Sequence, residues 1–275
     1  MAYVPTNTRP LNTAPQQQIR LGIQGAPGTG KTWAALTFPN PIVIDIDRGL
    51  GAHQGRSDVI QVPFYDTDFV KTILPQQPYN IKDALTYWLE KEARKLEPDQ
   101  TLILDGLTGL ASNYHTIFKR HPKLTDRGEV DYRAEWGLKI QYFSELTDIL
   151  ISLRCNIILI SHEAEAKEKD GTYRGKIRPL LTGQFGDQIV SKFTDWVRQL
   201  AADKPTGVVA ADKLANWNMT QAEFTAMTAK YPRNTLYFWQ LESDDIWDGK
   251  VSSLVGFPRY IPANYESFIK WRKKK

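Results

Sequence analysis

The sequence predicts an α/β fold with a mostly parallel central sheet and helices on both faces. Two observations carry this. Short, continuously apolar runs at 19–24, 41–47, 101–105 and 156–161 have the pattern of strands covered on both sides. Between them lie longer segments whose apolar residues recur at helical spacing, and strand–helix alternation builds a parallel sheet. The 275 residues are enough for one large domain with a sizeable core.

Taken in order, IRLGIQ (19–24) is a strand running into a glycine-rich turn, with a helix from Lys31. PIVIDID (41–47) and DVIQVPF (58–64) are the next strands. Residues 80–96 form a helix on the stripe Ile81, Leu85, Trp88, Leu89 and Ala93. TLILD (101–105) is a strand. Residues 131–154 form a long helix with Trp136, Ile140, Phe143, Leu146, Leu150 and Leu153 toward the core. NIILIS (156–161) is a buried strand and TLYFWQLE (235–242) a late one. Residues 119–132 read as a mobile polar loop, and 202–234 as an irregular insertion with one short helix, TQAEFTAMTAKY. The first 18 residues, polar and proline-rich, read as an extended arm without the apolar region of a signal peptide. The end, NYESFIKWRKKK, reads as a short helix with a basic tail, 272–275.

Composition narrows the class. Hydrophobic residues make up 41% and charged residues 24%, which suits a globular protein. The net charge of +4 permits nucleic-acid binding without requiring it. No apolar run approaches the about 20 residues of a membrane span. The single cysteine, Cys155, lies in an apolar run and forms no internal disulfide, which fits a reducing cytoplasm.

The chemistry begins at GAPGTGKT, residues 25–32, which satisfies G-x-x-x-x-G-K-[ST] between a strand and a helix. Gly25, Ala26, Pro27, Gly28, Thr29 and Gly30 form a loop whose N–H groups turn inward on phosphate oxygens. Lys31 adds a positive charge at the terminal phosphates, and Thr32 offers a hydroxyl to Mg²⁺. Asp105 ends a buried strand and so reaches the carboxyl edge of the sheet, where it would complete the metal site. The substrate expected is ATP, since no N-K-x-D sequence for guanine is present.

Many ATPases place a glutamate directly after that aspartate to activate water, yet here the next residue is Gly106. Asp45 and Asp47 share a face of their strand if it stays extended, and Asp47 is nearer the ligand edge. Asp47 is therefore the expected water-orienting base, with Asp45 left to hydrogen bonding. Ser161 and His162 end another strand at the same edge, and His162 is the expected sensor of the terminal phosphate.

This order of motifs resembles the RecA-like recombinase ATPases: phosphate loop, carboxylate on the next core strand, aspartate strand without adjacent glutamate, polar sensor. Within them it is most similar to the compact bacteriophage Sak-type single-strand annealing ATPases, often labelled phage nucleotide-binding or AAA-family proteins. In that family the acid matching Asp47 is often glutamate, and the residue matching His162 is often glutamine. The resemblance implies a RecA-like ATPase domain over 19–275 that uses ATP and Mg²⁺. It also implies assembly into a homo-oligomeric ring or filament on single-stranded DNA, with a single-strand-binding protein as partner. The work would be DNA recombination or annealing in the host cytoplasm.

The resemblance also makes the loop after the sensor a DNA-binding element. Asp170-Gly171 is a hairpin turn signal. Around it Lys169 would face Thr172, Lys167 would face Arg174, Glu165 would face Lys176 and Glu163 would face Arg178. The base then carries paired opposite charges, and the tip offers Lys167, Lys169 and Arg174 to phosphates, with Lys176 next along the hairpin as a further DNA-binding candidate and Tyr173 on the other side, where it could stack on a base. Lys119, Arg120, His121, Lys123 and Arg127 match the family's second DNA loop by position. Lys250 and Arg178 are the residues expected to act in trans on a neighbour's ATP. Two other readings remain open: a helicase loader or motor ATPase, and a nucleotide-gated switch with little hydrolysis.

Overall fold

A computed structural model of the chain describes residues 18–75, 81–120, 122–167, 173–181, 185–203, 214, 220–222, 224–225, 235–243, 247 and 249–272. At 120, 165–167, 173–176, 187 and 202–203 the backbone alone is described. The strands are β1 (Arg20–Gly25), β2 (Pro41–Asp45), β3 (Ile60–Pro63), β4 (Thr101–Asp105) and β5 (Asn156–Lys167). They continue with β6 (Tyr173–Pro179), β7 (Asp195–Asp203), β8 (Thr235–Gln240), β9 (Lys250–Val251) and β10 (Tyr260–Pro262). The helices are α1 (Lys31–Ala35), α2 (Thr67–Ile73), α3 (Ile81–Lys91), α4 (Leu107–Arg120), α5 (Tyr132–Ser152), α6 (Phe185–Lys192) and α7 (Tyr265–Trp271).

The main sheet runs β10-β8-β7-β1-β5-β4-β2-β3, parallel from β7 to β3 and antiparallel at β8 and β10. β5 therefore lies between the strand that opens the phosphate loop and the strand that carries Asp105. One face buries Leu102, Leu104, Ile157 and Leu159 against Leu85, Leu110, Phe143 and Ile189 of α3 to α6. The other buries Ile23, Val43, Ile103 and Ile158 against Ala34 of α1 and Phe268 of α7. Helices thus cover both faces, and each fully buried aliphatic side chain contributes about 1.5–3 kcal/mol.

Several expectations change. β7 carries buried Asp195 and Gln199, polar residues that mask a strand when only apolar runs are read. Asp195 accepts from Ser252 N, Ser253 N and Ser253 Oγ, and Gln199 Oε1 accepts from Trp239 Nε1 at 2.5 Å, while Gln199 Nε2 has no partner among the described residues. Residues 122–131 are a closed turn rather than a loose loop, with Thr125 N on Glu129 O at 2.8 Å and Asp131 N on Lys123 O at 2.8 Å. Lys119 and Arg120 belong to α4, and His121 lies outside the described residues. Trp136 does not face the core. It is 42% exposed, because the stripe that packs runs through Tyr142, Phe143, Leu146 and Leu150.

Arg272 is drawn in from the basic tail, half-buried and bridged to Leu254. Residues 273–275, the arm at 1–17 and most of 202–234 lie outside the described residues. Within that last stretch, Phe224 N donates to Thr220 O at 2.9 Å, a helical bond. Among the described residues no helix is long and apolar enough to cross a membrane.

Candidate nucleotide site

Parallel register brings the motifs to one edge. Gly25 at the end of β1 pairs with His162 of β5, Asp105 of β4 pairs with Ile160, and Asp45 of β2 pairs with Asp105. The phosphate loop, the Asp105 carboxylate and the Ser161-His162 pair therefore border one cavity of about 580 Å³, large enough for a nucleotide. Lys31, Thr32 and Asp47 also line it.

The loop takes the shape its glycines allow. Gly30 has φ +78°, and a Cβ there would stand 2.7 Å from the Tyr237 ring, so no other residue fits without displacing that ring. Lys31 is buried, and its ammonium donates to the Gly25 and Ala26 carbonyls at 2.8 Å each. Burial pulls its pKa down to about 8, while Asp105 and Glu163 act to raise it. Thr32 Oγ1 donates to Asp105 Oδ2 at 2.7 Å. Asp105 is lifted to about 6, first by burial and then by Asp45 and Asp47, against the Thr32 hydrogen bond and Lys31.

These groups fit Mg²⁺ and a phosphate chain. Thr32 and Asp105 are adjacent oxygen donors of the kind a hard cation takes. No group of three or more His, Cys, Asp or Glu suited to a metal occurs among the described residues. Phosphate oxygens and water would therefore supply the remaining ligands, as is usual for Mg²⁺. Ser161 and His162 line the cavity, and Ser161 Oγ and His162 Nδ1 are buried atoms with no hydrogen-bond partner among the described residues. His162 is held by its backbone N–H on Thr108 Oγ1 at 3.1 Å. Burial, then Lys31, lowers its pKa, so the imidazole is neutral near pH 7.

Asp47 corrects one expectation. β2 ends at Asp45, so the two carboxylates do not continue along a shared strand face. Asp45 is fully buried, and its oxygens accept from Gly49 N at 2.9 Å and Gln61 Nε2 at 2.8 Å. Asp47 lies beyond the strand and leans on the start of α4. A Cβ on Gly106 would be 2.7 Å from Asp47 Oδ2, and one on Gly109 would be 1.9 Å from Oδ1. Gly106 also has φ +106°. The position where many ATPases carry glutamate is therefore glycine because the Asp47 carboxylate occupies that space. Burial, then Asp45, raises the Asp47 pKa, keeping it a basic carboxylate at the cavity wall.

The remaining expected residues are not gathered here. β5 and β6 do form a hairpin, but its register differs: Glu163 pairs with Pro179, Ala164 with Arg178, Glu165 with Ile177 and Lys167 with Tyr173, with a bulge between Glu165 and Lys167. The bulge places Ala164, not Glu163, opposite Arg178, and the Glu163 carboxylate accepts from Arg198 of β7. The Asp170-Gly171 turn and Lys169 lie outside the described residues, as do the side chains of Lys167, Tyr173, Arg174 and Lys176. Arg178 is exposed on β6. Lys250 pairs with Trp196 toward the start of β7, and its ammonium donates to Ser191 O at 2.6 Å.

Other cavity-lining residues were not singled out from the sequence. Trp33 and Tyr237 pack at 6.0 Å between ring centroids, and Ala52, His53, Gln54 and Arg56 form the far wall. Gly49, Gly51 and Gly55, following directly on a carboxylate that ends a strand region, are the signal that marks that wall.

Residues 17–235 match the family model of the AAA domain. Comparison with curated proteins gives no match. Among solved structures, the chain is similar to the assembled ATPase EscN, solved with its central stalk EscO from the type III secretion system of enteropathogenic E. coli. That match has 13% identity and a TM-score of 0.35, and covers 66% of this chain. It spans 42% of the EscN chain.

Proposed function

The chain belongs to the AAA domain family, and from that premise we propose that this P-loop ATPase binds single-stranded DNA in an ATP-dependent way, assembles on it as an oligomer, and serves recombination or annealing. ATP would lie with its phosphates in the 25–32 loop. Lys31 would exchange the Gly25 and Ala26 carbonyls for the terminal phosphate oxygens. Mg²⁺, held by Thr32 and Asp105, would neutralise charge on the phosphates. Asp47 orients and deprotonates the attacking water, and its raised pKa suits that work. Neutral His162 and the Ser161 hydroxyl hydrogen-bond the terminal phosphate.

The observation that carries the DNA reading is that one strand serves both elements. β5 passes His162 at the cavity and continues as one strand, through the bulge between Glu165 and Lys167, into the hairpin that holds Lys167. A second observation supports it. On the closed turn and the first turn of α5, Tyr132 is 61% and Trp136 42% exposed, four residues apart, beside Lys123, Arg127 and Arg133. Aromatic faces beside cations are how sequence-tolerant single-strand binders hold bases and phosphates. The resemblance to Sak-type proteins supports the phage setting, a single-strand-binding partner and the host cytoplasm. Lys250 and Arg178 remain the residues proposed to act in trans.

Steady-state ATP turnover tests the reading, measured without DNA, with single-stranded DNA and with duplex at one salt concentration. Stimulation by single strands alone is expected. Equal turnover in all three would overturn the DNA reading in favour of a loader or protein-gated switch.

A further inference from the structure

Between the cavity and the hairpin lies an ion pair that the chemistry above does not use. Arg198 Nε donates to Glu163 Oε2 at 2.9 Å and Arg198 Nη2 to Oε1 at 3.2 Å, a bidentate pair with both side chains only 13% exposed. Its position is specific. Gln24, the residue before the phosphate loop, pairs with Arg198 on one side and Ser161 on the other. Glu163 is the first residue past His162. The hairpin closes on the same spot, where Leu180 N donates to His162 O at 2.6 Å. β7 also backs the loop directly, since a Cβ on Gly25 would come within 2.6 Å of Gln199 O.

We propose that the Glu163–Arg198 pair is a positioning latch that couples the nucleotide state of the cavity to the placement of the β5–β6 hairpin. The inference rests on the ATP-binding reading. A terminal phosphate acts on the two partners in opposite senses, repelling the carboxylate and attracting the guanidinium. Both are shielded from water, so the effect is weakly screened. Lys31 already feels the Glu163 charge, which shows that the pair lies within electrostatic reach of the phosphate-binding cation. An arriving phosphate therefore favours a loosened pair, whereas the empty or diphosphate state favours the closed one. That difference between states is what a ligand needs to shift an equilibrium. Glu163 begins the hairpin, so loosening the pair frees its base.

The experiment is hydrogen exchange of the 163–180 amides in the full chain with Mg²⁺ and either ADP or the non-hydrolysable analogue AMP-PNP. AMP-PNP affinity is measured separately. In the wild type, exchange is expected to differ about fivefold or more between the two nucleotides. In Arg198→Lys and Glu163→Gln the difference should fall below about twofold, with AMP-PNP affinity within about threefold of wild type. The swapped double variant Glu163→Arg/Arg198→Glu should recover part of it, which a merely structural role does not predict. A difference that persists in Arg198→Lys overturns the latch. So does a loss of AMP-PNP affinity in that variant, which would make the pair a support of the cavity. No AMP-PNP binding by the wild type overturns the ATP reading itself, and the latch with it.

Discussion

At the scale of single residues, the Asp47 carboxylate lies against Gly106 and Gly109, and it is the base proposed for hydrolysis. Asp47→Asn keeps the shape and removes the proposed base. Turnover in saturating ATP should fall by about 10²–10⁴-fold, with analogue affinity little changed. Unchanged turnover would place the base elsewhere. Asp105 makes a different prediction. Its carboxyl titrates near 6 in the fold, against 3.8 when unfolded. The folded state thus binds its proton more tightly, so the cost of the buried charge is present in full above about pH 6 and fades as pH falls toward the unfolded value. Without nucleotide, Asp105→Asn should be more stable than wild type by roughly 1–3 kcal/mol at about pH 8 and show little gain near pH 4. Denaturant melts at the two pH values check it, and a variant destabilised at both would refute the assignment of burial as the cause.

At the scale of elements, the phosphate loop was legible because its chemistry is local: strand, glycines, Lys31 and Thr32 are consecutive. The antiparallel pairing of β5 with β6 was expected from the sequence, but not its register, and the Asp170-Gly171 turn lies outside the described residues. A bulge between Glu165 and Lys167 shifts the pairing, and Glu163 pairs with Arg198 of β7, more than thirty residues further along the chain. β7 itself was hidden because Asp195 and Gln199 interrupt its apolar pattern, and the donors they accept from, Ser252, Ser253 and Trp239, come from far along the chain. The hairpin carries its own prediction. Reversing charge at Lys167, Lys169 and Arg174 should weaken single-strand binding and flatten its salt dependence by about two to three counterions, near 0.7 for each phosphate that is no longer neutralised. An unchanged slope in a salt titration would remove the hairpin from the DNA-binding surface.

At the scale of the whole molecule, assembly follows from the proposed trans residues. Light scattering should show larger species with Mg²⁺, AMP-PNP and single-stranded DNA together than with any one of them. A constant mass under all conditions would argue against a ring or filament. The sequence by itself determined the α/β class, the phosphate loop and the edge of the sheet to which Asp105 and His162 belong, because each depends on local periodicity or on the rule that parallel strands end together at one side. Only the tertiary structure decided that β5 separates β1 from β4, that Asp47 leaves its strand to fill the space above Gly106, and that Glu163 pairs with Arg198. These rest on which strands become neighbours and which side chains then compete for one volume, and such non-local contacts leave no periodic trace along the chain.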